Sequence, residues 1–349
     1  MAGVKHVVHQ PAPGALGRRR RSRLALLSVL ALLVLAAALA SLAFGARQIS
    51  LPDVWSAIFS PTGTGDDVVV RTLRVPRTIL GIAVGAALGI AGALMQGHTR
   101  NPLADPGLLG VSAGAAFCVV LGVYAFGVTS LFGYVWLSLA GAFAAGVVVF
   151  MLGMISRDGP TPVTLALAGV SLTALLQAFS SALVLDDAAT LDAYRFWSVG
   201  SLAGRDGDIA AQVAPFLAAG LLLALVNTAG LNLLALGEDV ARGLGVSVTR
   251  VRWTGLTAVT LLTGAAVAAC GPIGFVGLVV PHVCRIFTGS DHRWLVPASG
   301  LAGPVLLLGA DVVGRVVVWP GELPVGIVLV LVGAPVFVAL VRRRKLVSL

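Results

Sequence analysis

The sequence predicts an all-α integral membrane protein with a single transmembrane domain. Of its 349 residues, 58% are hydrophobic and only 11% are charged, and the mean hydropathy is +0.98. A soluble chain could not bury so much apolar surface, so most of that surface must face lipid. The 43 glycines suit membrane helices, because small residues let two helix backbones approach closely. The composition therefore excludes a pair of water-soluble domains.

About ten apolar runs follow one another along the chain, and most have the roughly 20 residues that a helix needs to cross a bilayer. The eighth run is shorter and contains Pro281 and His282. Between the first two runs, ISLPDVWSAIF (residues 49–59) is expected either as a short amphipathic helix at the outer surface or as an ordinary loop. The predicted spans are residues 24–44, 76–97, 108–126, 134–155, 163–185, 209–228, 253–270, 273–286, 295–313 and 325–341.

Residues 1–23 are predicted to form a disordered basic tail, with arginines at 18–21 and 23. The apolar run that follows resembles the hydrophobic part of a signal peptide, and the alanines at 36–38 would fit a cleavage pattern. At 21 residues, however, the run is long enough to cross a bilayer, which favours an uncleaved first span. Residues 24–345 then form the transmembrane domain.

The positive charges are unevenly divided between the two sides of the predicted membrane. Of the 24 lysines and arginines, 17 fall on the side of the two termini and 7 on the other. Cytoplasmic loops of membrane proteins carry the excess of basic residues. Both termini are therefore predicted to be cytoplasmic, in a multi-pass protein of the cell membrane. The basic residues form no patch interleaved with aromatic residues, so no nucleic-acid partner is expected.

Residues 71–115 carry the clearest local pattern. Glycines at 81, 85, 89 and 92 recur every three or four residues, which places a smooth stripe on one helix face for a second backbone to contact. The polar sequence RNPLADP (residues 100–106) follows, and its two prolines prevent a helix from continuing. The pattern predicts a membrane hairpin with arginines at one mouth and a rigid loop at the other.

This stretch, RVPRTILGIAVGAALGIAGALMQ followed by RNPLADPGLLGVSAGA, closely resembles the FecCD family of ABC-importer permeases. Three later stretches resemble the same family, in the same order: ALGEDVARGLG (235–245), GPIGFVGLVVPHVCR (271–285) and ADVVGRVVVWPGELPVGIVLVLVGAP (310–335). The resemblance runs from about residue 47 to the C-terminus. It implies the type II ABC-importer permease fold and the import of iron-siderophores, haem or cobalamin.

The chain has no means of its own to use ATP. Its two lysines, Lys5 and Lys345, lie in the terminal tails, so a phosphate-binding GxxxxGK[ST] loop is impossible. An ion-coupled secondary transporter is the alternative from another class, and such carriers usually bury carboxylates in the membrane. The one carboxylate well inside a predicted span is Asp311, for which a local pair with Arg315 is expected. The energy must therefore come from partner ATPase subunits, and the chain itself is not expected to be an enzyme.

The polar segment 232–252 contains a short amphipathic helix, with Leu236, Val240 and Leu244 on one face. This helix is either a plain interfacial helix or the attachment point for the ATPase, and the resemblance implies the second. The predicted coupling residues are Leu236, Gly237, Glu238, Asp239, Val240, Ala241, Arg242, Gly243, Leu244 and Gly245.

Three arginines are predicted at the outer mouth. Arg74 and Arg77 flank Pro76 at the expected start of a helix, where the helix dipole disfavours a cation, and Arg315 lies at the outer end of the ninth span. They could anchor lipid phosphates, but the conflict with the dipole favours carboxylates on a partner. The resemblance implies that these arginines dock glutamates of an extracytoplasmic solute-binding protein.

Two proline-containing turns are candidate cytoplasmic gates, by resemblance: Asn101-Pro102-Leu103 and Thr161-Pro162-Val163-Thr164. Ordinary turn chemistry is the alternative. His282 lacks a second ligand in its neighbourhood, and Cys118, Cys270 and Cys284 form no metal-binding pattern, so packing roles and no cofactor are expected.

The resulting hypothesis is a permease that works as a dimer, paired with a second copy or a paralogue, with a pathway along the subunit interface. Two ATPase subunits would lie below it and a binding protein above it. A ferric siderophore is the favoured cargo. Haem or cobalamin as the cargo, and ion-coupled transport, are the alternatives.

Overall fold

The computed structural model describes residues 15–342, apart from residues 46, 62, 64, 156–160, 206 and 320. Every regular element in this part of the chain is helical. The elements are α1 (Ala15–Ala43), α2 (Leu51–Phe59), α3 (Gly65–Val68), a π-helical segment (Val69–Arg74), α4 (Val75–Thr99), a 3₁₀ turn (Pro106–Leu109), α5 (Val111–Phe126), α6 (Leu131–Ile155), α7 (Pro162–Asp186), α8 (Ala188–Ser198), α9 (Gly207–Leu234), α10 (Glu238–Gly243), α11 (Val248–Cys270), α12 (Val276–Thr288), α13 (His292–Val317) and α14 (Val325–Arg342).

Seven of the described helices are long and apolar enough to cross a membrane. Three shorter apolar helices accompany them, at Val111–Phe126, Val276–Thr288 and Val325–Ala339. The all-helical membrane fold is thus confirmed, while the number of spans and the cytoplasmic position of the termini stay predictions. We name the end of the bundle where α4 begins the outer end, and the end where α4 finishes the inner end, following the predicted orientation.

Helices extend beyond the predicted spans at two places. The first helix begins at Ala15 rather than after residue 23, because alanine, leucine and arginine are all good helix formers and the chain gains by continuing the helix. Arg23 then pairs with Asp291 at 3.3 Å and lies over the ring of Trp294. The polar segment 232–252 is likewise mostly helical, since α9 continues to Leu234 and α11 already begins at Val248.

The short helix expected near residues 49–59 is present as α2. Ser50 caps it by accepting a hydrogen bond from the backbone N–H of Asp53, and a proline occupies its first turn. Val54 and Ala57 are buried against Ile49 and Val70. The loop alternative for this segment is therefore wrong.

The glycine stripe of α4 is confirmed as the centre of the bundle. A Cβ atom at Gly85 would lie 2.7 Å from the Cα of Pro304 in α13, and one at Gly92 would lie 1.9 Å from the carbonyl oxygen of Gly277 in α12. Any side chain at these positions would separate the helices, so the close packing that small residues permit is used here.

Two side-chain amides, buried Asn227 and half-buried Asn232, tie the inner ends of the helices together. Asn227 of α9 donates to the carbonyl oxygen of Val251 at 2.7 Å, and its Oδ1 lies 3.0 Å from Nε2 of His98 at the end of α4. Asn232 donates to Asp291 at 2.8 Å and accepts from the backbone N–H of His292 at 2.8 Å. Helices α4, α9, α11 and α13 are thereby fixed to one another next to α10.

Candidate docking and gating sites

A positively charged cavity of about 570 Å³ opens at the outer end, and all three predicted docking arginines line it. Its walls come from the link after α1, the π-helical segment, the start of α4, the loop after α8 and the loop after α13. One carboxylate, Glu322, is among the lining residues. The charged lining residues are Arg47, Arg74, Arg77, Arg205, Arg315 and Glu322.

Arg74 and Arg315 close the C-terminal end of α1. Arg74 donates to the carbonyl oxygens of Leu42 and Ala43, at 2.5 and 2.8 Å, and to that of Arg47. Arg315 donates to the carbonyl oxygens of Ser41 and Phe44 at 3.0 and 2.8 Å. The last carbonyls of a helix have no partner within it and carry its negative dipole end, so two guanidinium groups stabilise this terminus.

Asp311 joins two of the three arginines. Its carboxylate accepts hydrogen bonds from Nε and Nη2 of Arg77, at 3.0 and 2.8 Å, and forms an ion pair with Arg315 at 3.0 Å. The Asp311 side chain is fully buried. The expected local pair with Arg315 is confirmed, but Arg77, which lies 234 positions away in sequence, shares the same carboxylate.

The structure corrects two premises about these arginines. They are predicted at the outer mouth, where a docking charge would be accessible, but Arg74 is only 5% exposed and Arg315 only 2%. The helix was expected to begin near Pro76, but α3, the π-helical segment and α4 form one continuous helical path from Gly65. The unfavourable dipole at Arg74 and Arg77 is thus absent, and their docking role stays a prediction.

Sequence reasoning missed Glu322, whose carboxylate accepts from Nη1 of Arg77 at 2.8 Å. The two residues are separated by 245 positions, so no local pattern relates them. Glu322 lies in the sequence WPGELP between α13 and α14.

The predicted coupling helix is present as α10, at the inner end. Ala241 is completely buried and packs with Leu234 and Val248, the neighbouring residues of α9 and α11. Gly237 and Gly245, at φ +111° and +80°, let the chain turn sharply on either side. The helix is therefore attached to the bundle along one narrow face.

The apolar side chains on and beside α10 are exposed: Val240 lies in the helix, Leu236 precedes it and Leu244 follows it. Leu236, Val240 and Leu244 each leave half or more of their surface uncovered. The charges lie to the side, where Glu238 pairs with Arg242 at 3.1 Å and also with Arg252 of α11. Apolar side chains grouped outside the spans indicate a surface that a protein partner covers.

The first candidate gate, Asn101–Leu103, is a tight turn. The side chain of Asn101 accepts from the backbone N–H of Leu103 at 2.9 Å, which is ordinary turn chemistry. Arg100, in the left-handed region at φ +49°, donates to the carbonyl oxygen of Leu234 just before α10. Through Arg100, the loop is thus joined to the base of the coupling helix.

Asp105 lies in the same loop. Burial raises the pKa of Asp105, although its carboxylate accepts a hydrogen bond from the backbone N–H of Gly107 at 2.8 Å.

The second candidate gate begins α7. Thr161 accepts from the backbone N–H of Thr164 at 3.2 Å, as a helix cap does. Pro162 opens the helix and Val163 is exposed. Residues 157–160 of the preceding turn lie outside the described residues, so the expected approach of the two gates stays a prediction.

The remaining candidates lie in the core. His282 is buried in α12, and its Nδ1 has no hydrogen-bond partner in the part of the chain that the structure describes. Cys270 and Cys284 are buried, and Cys118 is half-buried. Within the described residues, no three histidine, cysteine or acidic side chains are grouped as metal ligands would be.

The helical bundle, the outer arginine cavity and the inner apolar helix define a multi-pass permease of the cytoplasmic membrane, a transport component rather than an enzyme. Residues 32–343 match the FecCD transport family, and the chain belongs to that family of ABC-importer permease subunits.

Two curated relatives show the range of the family. The chain is 45% identical over 305 residues to the ferric enterobactin transport system permease protein FepD of Escherichia coli, which covers 87% of this chain and 91% of FepD. It is 40% identical over 283 residues to the cobalamin import system permease protein BtuC of Halobacterium salinarum, which covers 81% of this chain and 75% of BtuC.

A solved structure shares the fold. It is described as an inward-facing conformation of a metal-chelate type ABC transporter, and it superposes with a TM-score of 0.81 at 31% identity. The match covers 92% of this chain and 99% of that one.

Proposed function

We propose that this permease imports a ferric siderophore, as one half of a membrane dimer driven by two ATPase subunits and supplied by an extracytoplasmic solute-binding protein. The observation that carries the transport mechanism is the exposed apolar face of α10. The identity of 45% to a ferric enterobactin permease supports the siderophore. Haem or cobalamin is the alternative cargo, and the cobalamin relative at 40% identity supports that alternative.

The coupling step follows from how α10 is held. An ATPase that covers Leu236, Val240 and Leu244 would bury apolar surface worth about 1.5–3 kcal/mol for each fully covered side chain. Motion of that partner would act on α10, which is attached to α11 by the Glu238–Arg252 ion pair. It would also act on the Asn101–Leu103 turn, because Arg100 binds the carbonyl of Leu234. We infer that this connection transmits ATP-driven motion to the gate.

The pathway is proposed along α7, at the interface with the second permease subunit. Only 6% of the residues in the apolar stretch of α1 and 17% of those in α7 are buried, so both helices face outward. Between Val29 and Leu39, α1 exposes only apolar side chains, whereas α7 exposes Ser171, Gln177 and Ser181. Polar side chains are costly against lipid and favour a partner or a water-filled cavity. The exposed face of α7 therefore suits a subunit interface that encloses a polar transport pathway.

The outer cavity is proposed as the docking site for the binding protein. Arg77 has the most accessible head of the three predicted arginines, with 12% of its side chain exposed. Arg74 and Arg315 line the same wall and fix its shape through α1. An acidic partner surface fits a cavity in which arginines outnumber carboxylates.

The proposal is tested by uptake into proteoliposomes that contain the permease, its ATPase subunits and the binding protein. We expect transport of a ferric siderophore to need internal ATP and to continue after an uncoupler collapses the proton gradient. Parallel assays with haem and cobalamin identify the cargo. Transport that stops with the uncoupler while ATP is constant would contradict ATP-driven import, and uptake of haem or cobalamin alone would replace the proposed cargo.

A further inference from the structure

We propose that Glu322 is a stand-in carboxylate: in the undocked permease it occupies the position on Arg77 that an acidic side chain of the solute-binding protein takes on docking. The inference rests on the proposed docking at the outer cavity, and adds that docking there is an exchange of one carboxylate for another.

Two carboxylates already engage three of the five N–H donors of Arg77. Nε and Nη2 bind Asp311 in a fork, at 3.0 and 2.8 Å, and Nη1 binds Glu322 at 2.8 Å. A guanidinium group recognises carboxylates through this planar set of donors. A partner carboxylate that takes the position on Nη1 must therefore displace Glu322.

Asp311 is the carboxylate that stays. It is completely buried and is also bound by Arg315, so it could reach solvent only by breaking two ion pairs inside the bundle. Breaking a buried ion pair in this way is strongly unfavourable. Asp311 thus fixes the position of the Arg77 head.

Glu322 is the carboxylate that leaves. Its side chain is 35% exposed and lies in the loop between α13 and α14, where the backbone N–H of Leu323 is bound to the carbonyl of Gly314 at 3.0 Å. Rotation of the Glu322 side chain into solvent needs no movement of that anchored backbone. Water can solvate the released carboxylate, so exchange at this position costs little.

The cavity favours an acidic occupant once Glu322 has left. Five arginines line it together with that single carboxylate, and of these Arg47 is paired with Asp66 at 2.9 Å. Among the described lining residues Glu322 is the one carboxylate, so its departure makes the cavity more positive and strengthens the attraction for a carboxylate from the partner.

Removal of the Glu322 carboxylate should tighten binding of the solute-binding protein. Glu322→Gln keeps the size of the side chain but no longer competes for Arg77 with a charge. An exposed ion pair is typically worth up to about 1 kcal/mol, so we expect the affinity for the binding protein to rise about two- to fivefold. The gain should disappear at high salt, because screening weakens the charge of both competitors.

The test measures binding-protein affinity for the complete transporter in nanodiscs, with wild type, Glu322→Gln, Glu322→Asp, Asp192→Asn and Arg77→Ala. Asp192 is an exposed acid on α8 that pairs locally with Arg195, so its variant controls for loss of one negative charge. Glu322→Asp keeps the charge and should bind like wild type. A thermal unfolding curve for each variant shows that it is folded.

Tighter binding by Glu322→Gln alone supports the stand-in role. Unchanged or weaker binding by Glu322→Gln, together with weaker binding by Arg77→Ala, would overturn the stand-in role and leave docking at Arg77 intact. Equal tightening by Asp192→Asn would also overturn it, because net charge would then explain the gain. If Arg77→Ala binds like wild type, the docking proposal itself fails.

Discussion

The two ends of this bundle present opposite surfaces to their proposed partners. At the outer end, the arginines that sequence reasoning selected for docking turn inward, where Arg74 and Arg315 close α1 and Asp311 joins Arg315 to Arg77. At the inner end, the selected residues Leu236, Val240 and Leu244 stand exposed. The outer site is therefore a charged cavity with a built framework, and the inner site is an apolar projection. Under the proposed function, the chain would use electrostatics for one partner and apolar burial for the other.

The largest effect is expected from the framework of the outer end. Asp311→Ala removes a buried carboxylate that two arginines share, and breaking such a pair from one side costs about 3–5 kcal/mol. We expect a large loss of thermal stability and of folded protein in membranes, measured by fluorescence-detected size exclusion. Asp192→Ala, at an exposed pair, is the matched control and should behave like wild type. A fully stable Asp311→Ala protein would show that the cluster is only a docking surface.

At the inner end, we expect a variant of α10 to lose its association with the ATPase while the permease itself still folds. The double change Val240→Asp and Leu244→Asp places charges on the exposed face of α10 and leaves buried Ala241 in place. Loss of an apolar anchor at an interface typically costs about 2 kcal/mol or more, so we expect at least tenfold weaker retention of the ATPase in a detergent pull-down.

Phe59→Asp is the matched control for the inner variant, since Phe59 is an equally exposed apolar residue on α2. It should retain the ATPase like wild type. Normal ATPase retention by the Val240 and Leu244 variant would remove α10 as the coupling surface.

The sequence predicted what periodicity and short-range spacing determine. Glycine spacing in α4 identified the face that Pro304 and Gly277 contact, and the repeat of Leu236, Val240 and Leu244 identified the exposed side of α10. Both are properties of a single helix, which a 3.6-residue period reveals. Because α10 has only six residues, it can bury one face against the bundle, and its other face is left exposed.

The sequence could not predict what distant contacts determine. The burial of Arg74 depends on carbonyls 31 and 32 residues earlier, and the shared use of Asp311 depends on a residue 234 positions away. The π-helical segment that precedes α4 also has no sequence signal of its own. The sequence therefore assigned Arg74 a carboxylate on a partner, whereas the end of α1 provides it with carbonyl acceptors.

The salt dependence of the two associations on one preparation tests the central claim most directly. Affinity for the binding protein and retention of the ATPase would be measured on the same transporter between about 50 and 500 mM NaCl, a range over which the screening length falls severalfold. We predict that binding-protein affinity falls about tenfold or more while ATPase retention changes less than about twofold. A binding-protein affinity that is insensitive to salt, or an ATPase association that weakens in parallel with it, would contradict the division between a charged outer site and an apolar inner one.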